Sequence, residues 1–437
     1  MKEDHKIQKQ SEGLYQWIVL ASFCLNSMSN IFLFTGLSPI WSQVAIYYGT
    51  TDYDLNWFTN MYYITLMSSA FLFNPLIIKY FGISQLLSCC FTSLGLWLLL
   101  YVKQDYLLGL VSLGLISLGE SLYFQVPLRK TYKIIIDLSK LWFAHDQRII
   151  STFIAQYSSN VGMLISYTIS SLYFQDIVDE SEFNTRYENL ILFNAIFATI
   201  ALVFNLSTLK TPSQHHDIVE IRLTIWESLS KLVMSEESVF DILSISSFIG
   251  LSWCYTMLLG TQQYYQGQSF LEVTQTSIYF QVGQIVAGTY CTWKLQKQSK
   301  AGIQQDYDSY IKTMISLGFW LLVFEIILFE DIPFIILVFI NFFIGAGIGG
   351  IYSVLLEALM EKHFPVQELA IGTIFAAVAS VIYHNQKQVV SITITMTLVI
   401  PKFLEYGFQI SCYLMIIPFC YIAVFYKTQF KRFEAEA

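Results

Sequence analysis

The chain has 437 residues, of which 55% are hydrophobic and only 13% charged, with a formal net charge of −8 and a mean hydropathy of +0.52. These values exclude an ordinary soluble domain, and with acidic residues gathered in connecting stretches such as "QDIVDESEFNTRYE" nothing points to nucleic acid as a partner. They predict an all-α integral membrane protein whose main partner is the lipid bilayer, because only internally hydrogen-bonded segments survive in lipid.

Apolar runs able to cross a hydrocarbon core of about 30 Å, which takes about 20 residues each, recur along almost the whole length. They predict about twelve helices, at 16–45, 56–80, 83–103, 106–127, 149–174, 189–209, 239–264, 272–294, 312–329, 332–360, 367–398 and 404–426. The polar tail "MKEDHKIQKQSEGLYQ" leads into a full-length apolar run with no small-residue cleavage site, so the first span reads as a permanent anchor. Within that span Asn26, Asn30 and Phe34 are spaced i, i+4, i+8 and share one side of a helix. Such a stripe either lines a cavity or fastens one helix to another.

In the fourth span Glu120 offers a carboxylate that could attract a cation or titrate during transport, or else pair with a basic residue such as Arg129. The fifth carries Gln156 and Asn160, again i, i+4. Between the sixth and seventh spans lies "KTPSQHHDIVEIRLTIWESLSKLVMSEES", with Ile218, Ile221, Ile225 and Leu229 on one face of an expected surface helix. The seventh span, "LSWCYTMLLGTQQYY", presents Trp253 and Tyr255, then Gln262 and Gln263 two turns on. Aromatic faces bind cations through the ring quadrupole, although rings also simply pack or anchor at the interface.

In the tenth span "GAGIGG" follows an apolar helical run and not a strand, so it reads as close helix packing and not as a dinucleotide loop. Glu357 and Glu361, i, i+4 near the end of that span, form either a gate with basic residues of neighbouring loops or a solvated pair. In the eleventh, His384, Asn385, Gln386, Lys387 and Gln388 interrupt an apolar run. The cluster meets water or a partner, or the helix ends there. All seven cysteines fall within spans and lack metal-ligand spacing, so neither a disulfide framework nor a metal site is expected. No HExxH, GxSxG or P-loop occurs, which predicts no enzyme and no cofactor.

Most of the 24 lysines and arginines lie on one side if the N-terminus is cytoplasmic, which places both termini there in a multi-pass protein of the plasma or an organelle membrane. The polar connector divides the chain into an N-terminal bundle, 1–209, a cytoplasmic linker, 210–238, and a C-terminal bundle, 239–437. Two six-helix bundles joined in this way resemble the major facilitator superfamily, whose halves enclose a midplane site.

Several segments also resemble the feline leukaemia virus subgroup C receptor family of facilitators, associated with choline, ethanolamine and haem transport. They are "SMSNIFLF", "YYG" followed by "NWFTNMYYIT", "LWFA", "SNVG", "CYTMLLGTQQ" and "EALMEKHFP". The resemblance implies a choline pocket in which Asn30 and Tyr255 are kept, while Phe34 stands where the family has tryptophan, a weaker cation partner. It also places Asn160 and Ser380 at two glutamine positions, Glu120 at a third, and Glu357 and Glu361 at family glutamates. Two departures put inherited gating in doubt: Lys79 stands where an acidic residue is usual, and "KTYKIIIDLSK" lengthens the segment before "LWFA".

The expectation is therefore a monomeric alternating-access transporter of a small organic cation, a choline-like or ethanolamine-like amine. Its binding residues would be Asn30, Phe34, Glu120, Asn160, Tyr255, Gln263, Ser380 and His384, with Glu357 and Glu361 as gating groups. The alternatives are a haem or other organic-anion carrier of the same fold, and a non-transporting receptor or structural subunit.

Overall fold

The computed structural model describes residues 2–72, 81–102, 105–129, 148–207 apart from 176 and 178, 225–265, 269–300, 306–328, 333–363 and 418–427, with 366, 371, 374, 378 and 379. Among the described residues there is no strand. The elements are α1 (Lys2–Gly36), a 3-10 turn (Ser38–Ile40), α2 (Trp41–Tyr47), α3 (Asp52–Leu72), α4 (Phe81–Val102), α5 (Tyr106–Arg129), α6 (Arg148–Phe174) and α7 (Glu180–Leu206). They continue with α8 (Ile225–Met234), α9 (Glu236–Tyr265), α10 (Phe270–Lys300), α11 (Tyr307–Leu328), α12 (Phe334–Ile348), α13 (Tyr352–Lys362) and a π-helical turn (Tyr421–Phe425). Among the described residues Tyr15–Leu33, Gly82–Val102 and Glu180–Leu206 are long and apolar enough to cross a bilayer, and Tyr106–Leu122 and Phe334–Ile348 are shorter apolar helices.

Three spans differ from expectation, each for a local reason. The first, 16–45, is not one helix: α1 stops at Gly36 and the chain turns through Ser38–Ile40 into α2. Pro39 has no N–H to give and its ring crowds the preceding turn, so the helix cannot run through it. After α2 the chain reverses in a glycine cap, with Thr50 N bonded to Ala45 O, Gly49 N to Ile46 O, and Gly49 at φ 60°, the left-handed position that favours glycine. The helix of the sixth span, α7, begins at Glu180, earlier than its apolar run, because the Asp179 carboxylate accepts from Glu182 N at 2.7 Å. Glu180 and Glu182 in its first turn suit the positive end of the helix dipole. The tenth span, 332–360, is broken into α12 and α13 at Gly349–Ile351. There both Gly349 N and Gly350 N turn back to Gly345 O, so the regular i→i−4 ladder lapses.

The apolar residues form two cores, one from Phe32 to Ala198 and one from Leu232 to Tyr426. In the first, α4 packs on α5 and α7, α3 on α5, and α1 on α6 and α7; in the second, α10 and α11 both pack on α12. A tyrosine cluster caps the first core, with Tyr47 edge-on to Tyr48 and Tyr187 and Phe58 stacked on Tyr106. The close-packing reading of "GAGIGG" holds. A side chain at Gly345 would overlap the Phe280 backbone of α10, and one at Gly347 the backbone of Gly318 on α11, so α12 lies against both neighbours with almost no side chain between. Among the described residues the two cores meet mainly along α6 and α10, with the 3-10 turn touching α9 and α10.

Candidate functional site

Polar groups in a lipid-embedded bundle must be paired or face water, so their partners indicate where chemistry is possible. In the first core the Asn30 amide is fully engaged. It donates to Thr92 Oγ1 at 2.8 Å and to the Ile116 carbonyl at 3.1 Å, and its oxygen accepts from the Tyr62 hydroxyl at 3.2 Å. One turn below, Asn26 donates to Ser88 Oγ at 2.8 Å, and Ser88 in turn donates to Gly119 O at 2.7 Å. The amide stripe thus ties α1 to α3, α4 and α5. Glu120, next to Gly119, is 7% exposed. Its carboxyl shares the Tyr62 hydroxyl with Asn30, while Oε2 has no hydrogen-bond partner in the structure.

The second core has a trio of the same residue types. Tyr255 of α9 is 2% exposed, and its hydroxyl lies 2.7 Å from Glu325 Oε2 on α11 and 2.9 Å from Asn341 Oδ1 on α12. Asn341 Nδ2 completes the set, at 3.3 Å from Glu325 Oε1 and 3.0 Å from Leu337 O. Sequence reasoning did not single out Glu325 or Asn341. The signal was a lone carboxyl in "WLLVFEIILF", which has no partner at helical spacing to draw notice.

At the start of α9 a buried ionic cluster joins three segments. The Asp241 carboxylate, fully buried, meets Lys362 Nζ at 2.7 Å, His363 Nε2 at 3.1 Å and the Tyr421 hydroxyl at 2.9 Å. With Nε2–H aimed at the carboxylate, His363 Nδ1 accepts from Ser238 Oγ at 3.1 Å. Lys362 also reaches the exposed Glu237 at 2.9 Å and lies over the Tyr426 ring, 4.9 Å from its centroid. Lys362 and His363 belong to the same "EALMEKHFP" stretch as Glu357 and Glu361, and sequence reasoning passed over them as site residues.

The two cores touch across a third group. Asn160 Nδ2 of α6 donates to Gln284 Oε1 of α10. One turn away the Tyr157 hydroxyl donates to Gly350 O at 2.9 Å, with Gly349 O at 3.5 Å. The break between α12 and α13 frees those carbonyls, and Gly288 lets the Tyr157 ring lie against the α10 backbone. Tyr157 also lies close enough to Tyr352 of α13 to act on it electrostatically. The junction is therefore built from tyrosine rings, amides and backbone carbonyls.

Of the expected site residues, Asn30 and Glu120 come together through Tyr62, Asn160 lies at the junction, and Tyr255 sits within the second core. The backbones of Phe34, Gln263, Glu357 and Glu361 are on α1, α9 and α13, but their side chains lie outside the described residues. Ser380, His384, Lys79, Ile218, Ile221 and the lengthened segment before "LWFA" lie outside them altogether. Among the described residues no group of three or more His, Cys, Asp or Glu could hold a metal ion.

The profile of the Major Facilitator Superfamily matches residues 23–383. No curated protein matches the sequence. Among solved structures, a single-site variant of the E. coli fucose:proton symporter FucP is similar with a TM-score of 0.63 at 14% identity, over 94% of this chain and 98% of that one. A structure of the major facilitator transporter FucP in the outward conformation gives 0.65 at 13% identity, over 95% of this chain and 100% of that one. At such identities the likeness extends to the fold alone.

Proposed function

The chain belongs to the major facilitator superfamily of membrane transporters, and we propose that its cargo is a small organic amine of the choline or ethanolamine type. On this reading the chain is a member of the feline leukaemia virus subgroup C receptor branch, works as a monomer with both termini in the cytoplasm, and rocks two halves, 1–209 and 239–437, about a central site. The observation that carries the cargo class is the make-up of the junction between α6 and α10. Tyrosine faces and amide oxygens at Tyr157, Asn160, Gln284 and Tyr352 attract a cation, and the buried carboxyl of Glu120 adds a further acceptor within the first bundle. An organic anion such as haem would need fixed positive charge, and the described residues of this junction supply none.

Asn160 is the polar partner of the amine in this proposal, and Glu120, with its open Oε2, is the carboxylate that the amine or a proton engages. Tyr255 and Asn30 support the site through the helices they hold, and Glu357 and Glu361 gate it. The fucose of the E. coli symporter serves as a control cargo, since that likeness is one of fold.

Binding to the purified full chain tests the reading. Choline or ethanolamine should raise its thermal unfolding midpoint, and Gln284→Ala or Asn160→Ala should remove the shift while leaving the unliganded midpoint close to wild type. A shift with haem or fucose and none with either amine would overturn it.

A further inference from the structure

The ring of Tyr255, Glu325 and Asn341 carries a proton count. Tyr255 has one hydroxyl hydrogen but lies 2.7 Å from Glu325 Oε2 and 2.9 Å from Asn341 Oδ1, both acceptors when the carboxyl is ionised. The Asn341 amide cannot be turned round to supply a donor, because its nitrogen is fixed by the Leu337 carbonyl at 3.0 Å. Only Oδ1 therefore faces the tyrosine. The contact from Asn341 Nδ2 to Glu325 Oε1 is long at 3.3 Å, whereas an ionised acceptor shortens the hydrogen bonds it receives.

We infer that Glu325 is a proton-binding site of the C-terminal half, occupied in this conformation. With a hydrogen on Oε2 every contact has one donor and one acceptor, all in the same sense: Glu325 donates to Tyr255, Tyr255 to Asn341, and Asn341 to Glu325 Oε1. When the proton leaves Oε2 for water, the Tyr255 O–H turns to the carboxylate and Asn341 Oδ1 loses its donor. Release thus requires α9, α11 and α12 to admit water or shift. Among the described residues Tyr255 from α9 and Asn341 from α12 are the groups that bond Glu325, and no charged side chain acts on it. The nearest ionic cluster on α9 centres on Asp241, about 21 Å along the helix at 1.5 Å per residue. The related trio in the first core is open, because Glu120 Oε2 has no hydrogen-bond partner there.

Infrared spectroscopy of the full chain in lipid at neutral pH reads the proton directly, without reference to cargo. The difference between wild type and Glu325→Gln should show loss of a protonated-carboxyl C=O band. Glutamine keeps the sense of the ring, its N–H donating to Tyr255 and its carbonyl accepting from Asn341, so the variant should fold. Tyr255→Phe provides a second reading, in which the same band persists at a displaced frequency because the acid O–H has lost its acceptor. A wild-type minus Glu325→Gln difference containing only carboxylate stretches, or a band unmoved by Tyr255→Phe, would overturn the assignment.

Discussion

The Asn30 amide bonds groups on α3, α4 and α5 at once, so its removal acts on three helix contacts together. Asn30→Ala should lower stability by about 1–3 kcal/mol, the cost of leaving buried hydroxyl and carbonyl partners unmatched. A thermal or denaturant unfolding series in detergent checks this, and an unchanged midpoint would refute it. The i, i+4 spacing of Asn26 and Asn30 shows that they share a side, but not what lies opposite. Helix spacing fixes angle about one axis, whereas Thr92, Ser88 and Tyr62 come from other helices. For the same reason Glu325 escaped notice: its partners are 70 and 16 residues away in the chain, and the apolar run around it reads as an uninterrupted span.

At the level of elements, helix ends decide more than helix middles. The Asp179 carboxyl accepts from Glu182 N and the Ser181 hydroxyl, and the backbone bond from Glu182 is the largest of the effects that hold it below the usual carboxylate range. A depressed folded-state value means the cap contributes above the ordinary carboxylate pKa and is lost as pH falls through the depressed one. Protection of the amides in the first turn of α7 against hydrogen exchange, taken relative to their intrinsic rates, should therefore fall on acidification, and Asp179→Ala should show that lower protection already at neutral pH. Unaltered exchange in the variant would count against the cap. The cluster at the start of α9 predicts a larger effect. Asp241→Ala leaves Lys362, 3% exposed, with only the exposed Glu237 as ionic partner among the described residues, and breaking such a buried pair costs about 3–5 kcal/mol. Replacing both as Asp241→Leu with Lys362→Met should recover much of that, a double-mutant cycle that additive losses would contradict. The apolar helices at Tyr15–Leu33, Gly82–Val102 and Glu180–Leu206 and the small-residue contact of "GAGIGG" were legible because length, hydropathy and glycine spacing are local properties. The breaks at Pro39 and Gly349 were not. A hydropathy window averages across a proline or glycine pair, and whether the chain bends there depends on what receives the released carbonyls, here the Ser170 hydroxyl at Gly36 and the Tyr157 hydroxyl at Gly350.

For the whole molecule, the fold of this superfamily places two bundles around a shared site, and α6 against α10 is the described surface on which they meet. The facilitator fold was legible from the recurrence of long apolar runs along the chain. The junction was not, since Gln284 and Tyr157 are unremarkable in sequence and acquire meaning only when facing each other's half. Tyr157→Phe removes the bond to the Gly350 carbonyl and should loosen the contact between halves without unfolding either core. Cysteine pairs across α6 and α10 should then cross-link more slowly than in the parent background, and an equal rate would argue that the hydroxyl does not hold the halves together.

Movement of a small amine through that junction can be read from uptake by proteoliposomes of the full chain. Labelled choline or ethanolamine should accumulate faster than in protein-free vesicles, excess unlabelled amine should compete, fucose should not, and Gln284→Ala should abolish the difference. Folded protein that takes up neither amine, or takes them up equally well with Gln284→Ala, would contradict the account.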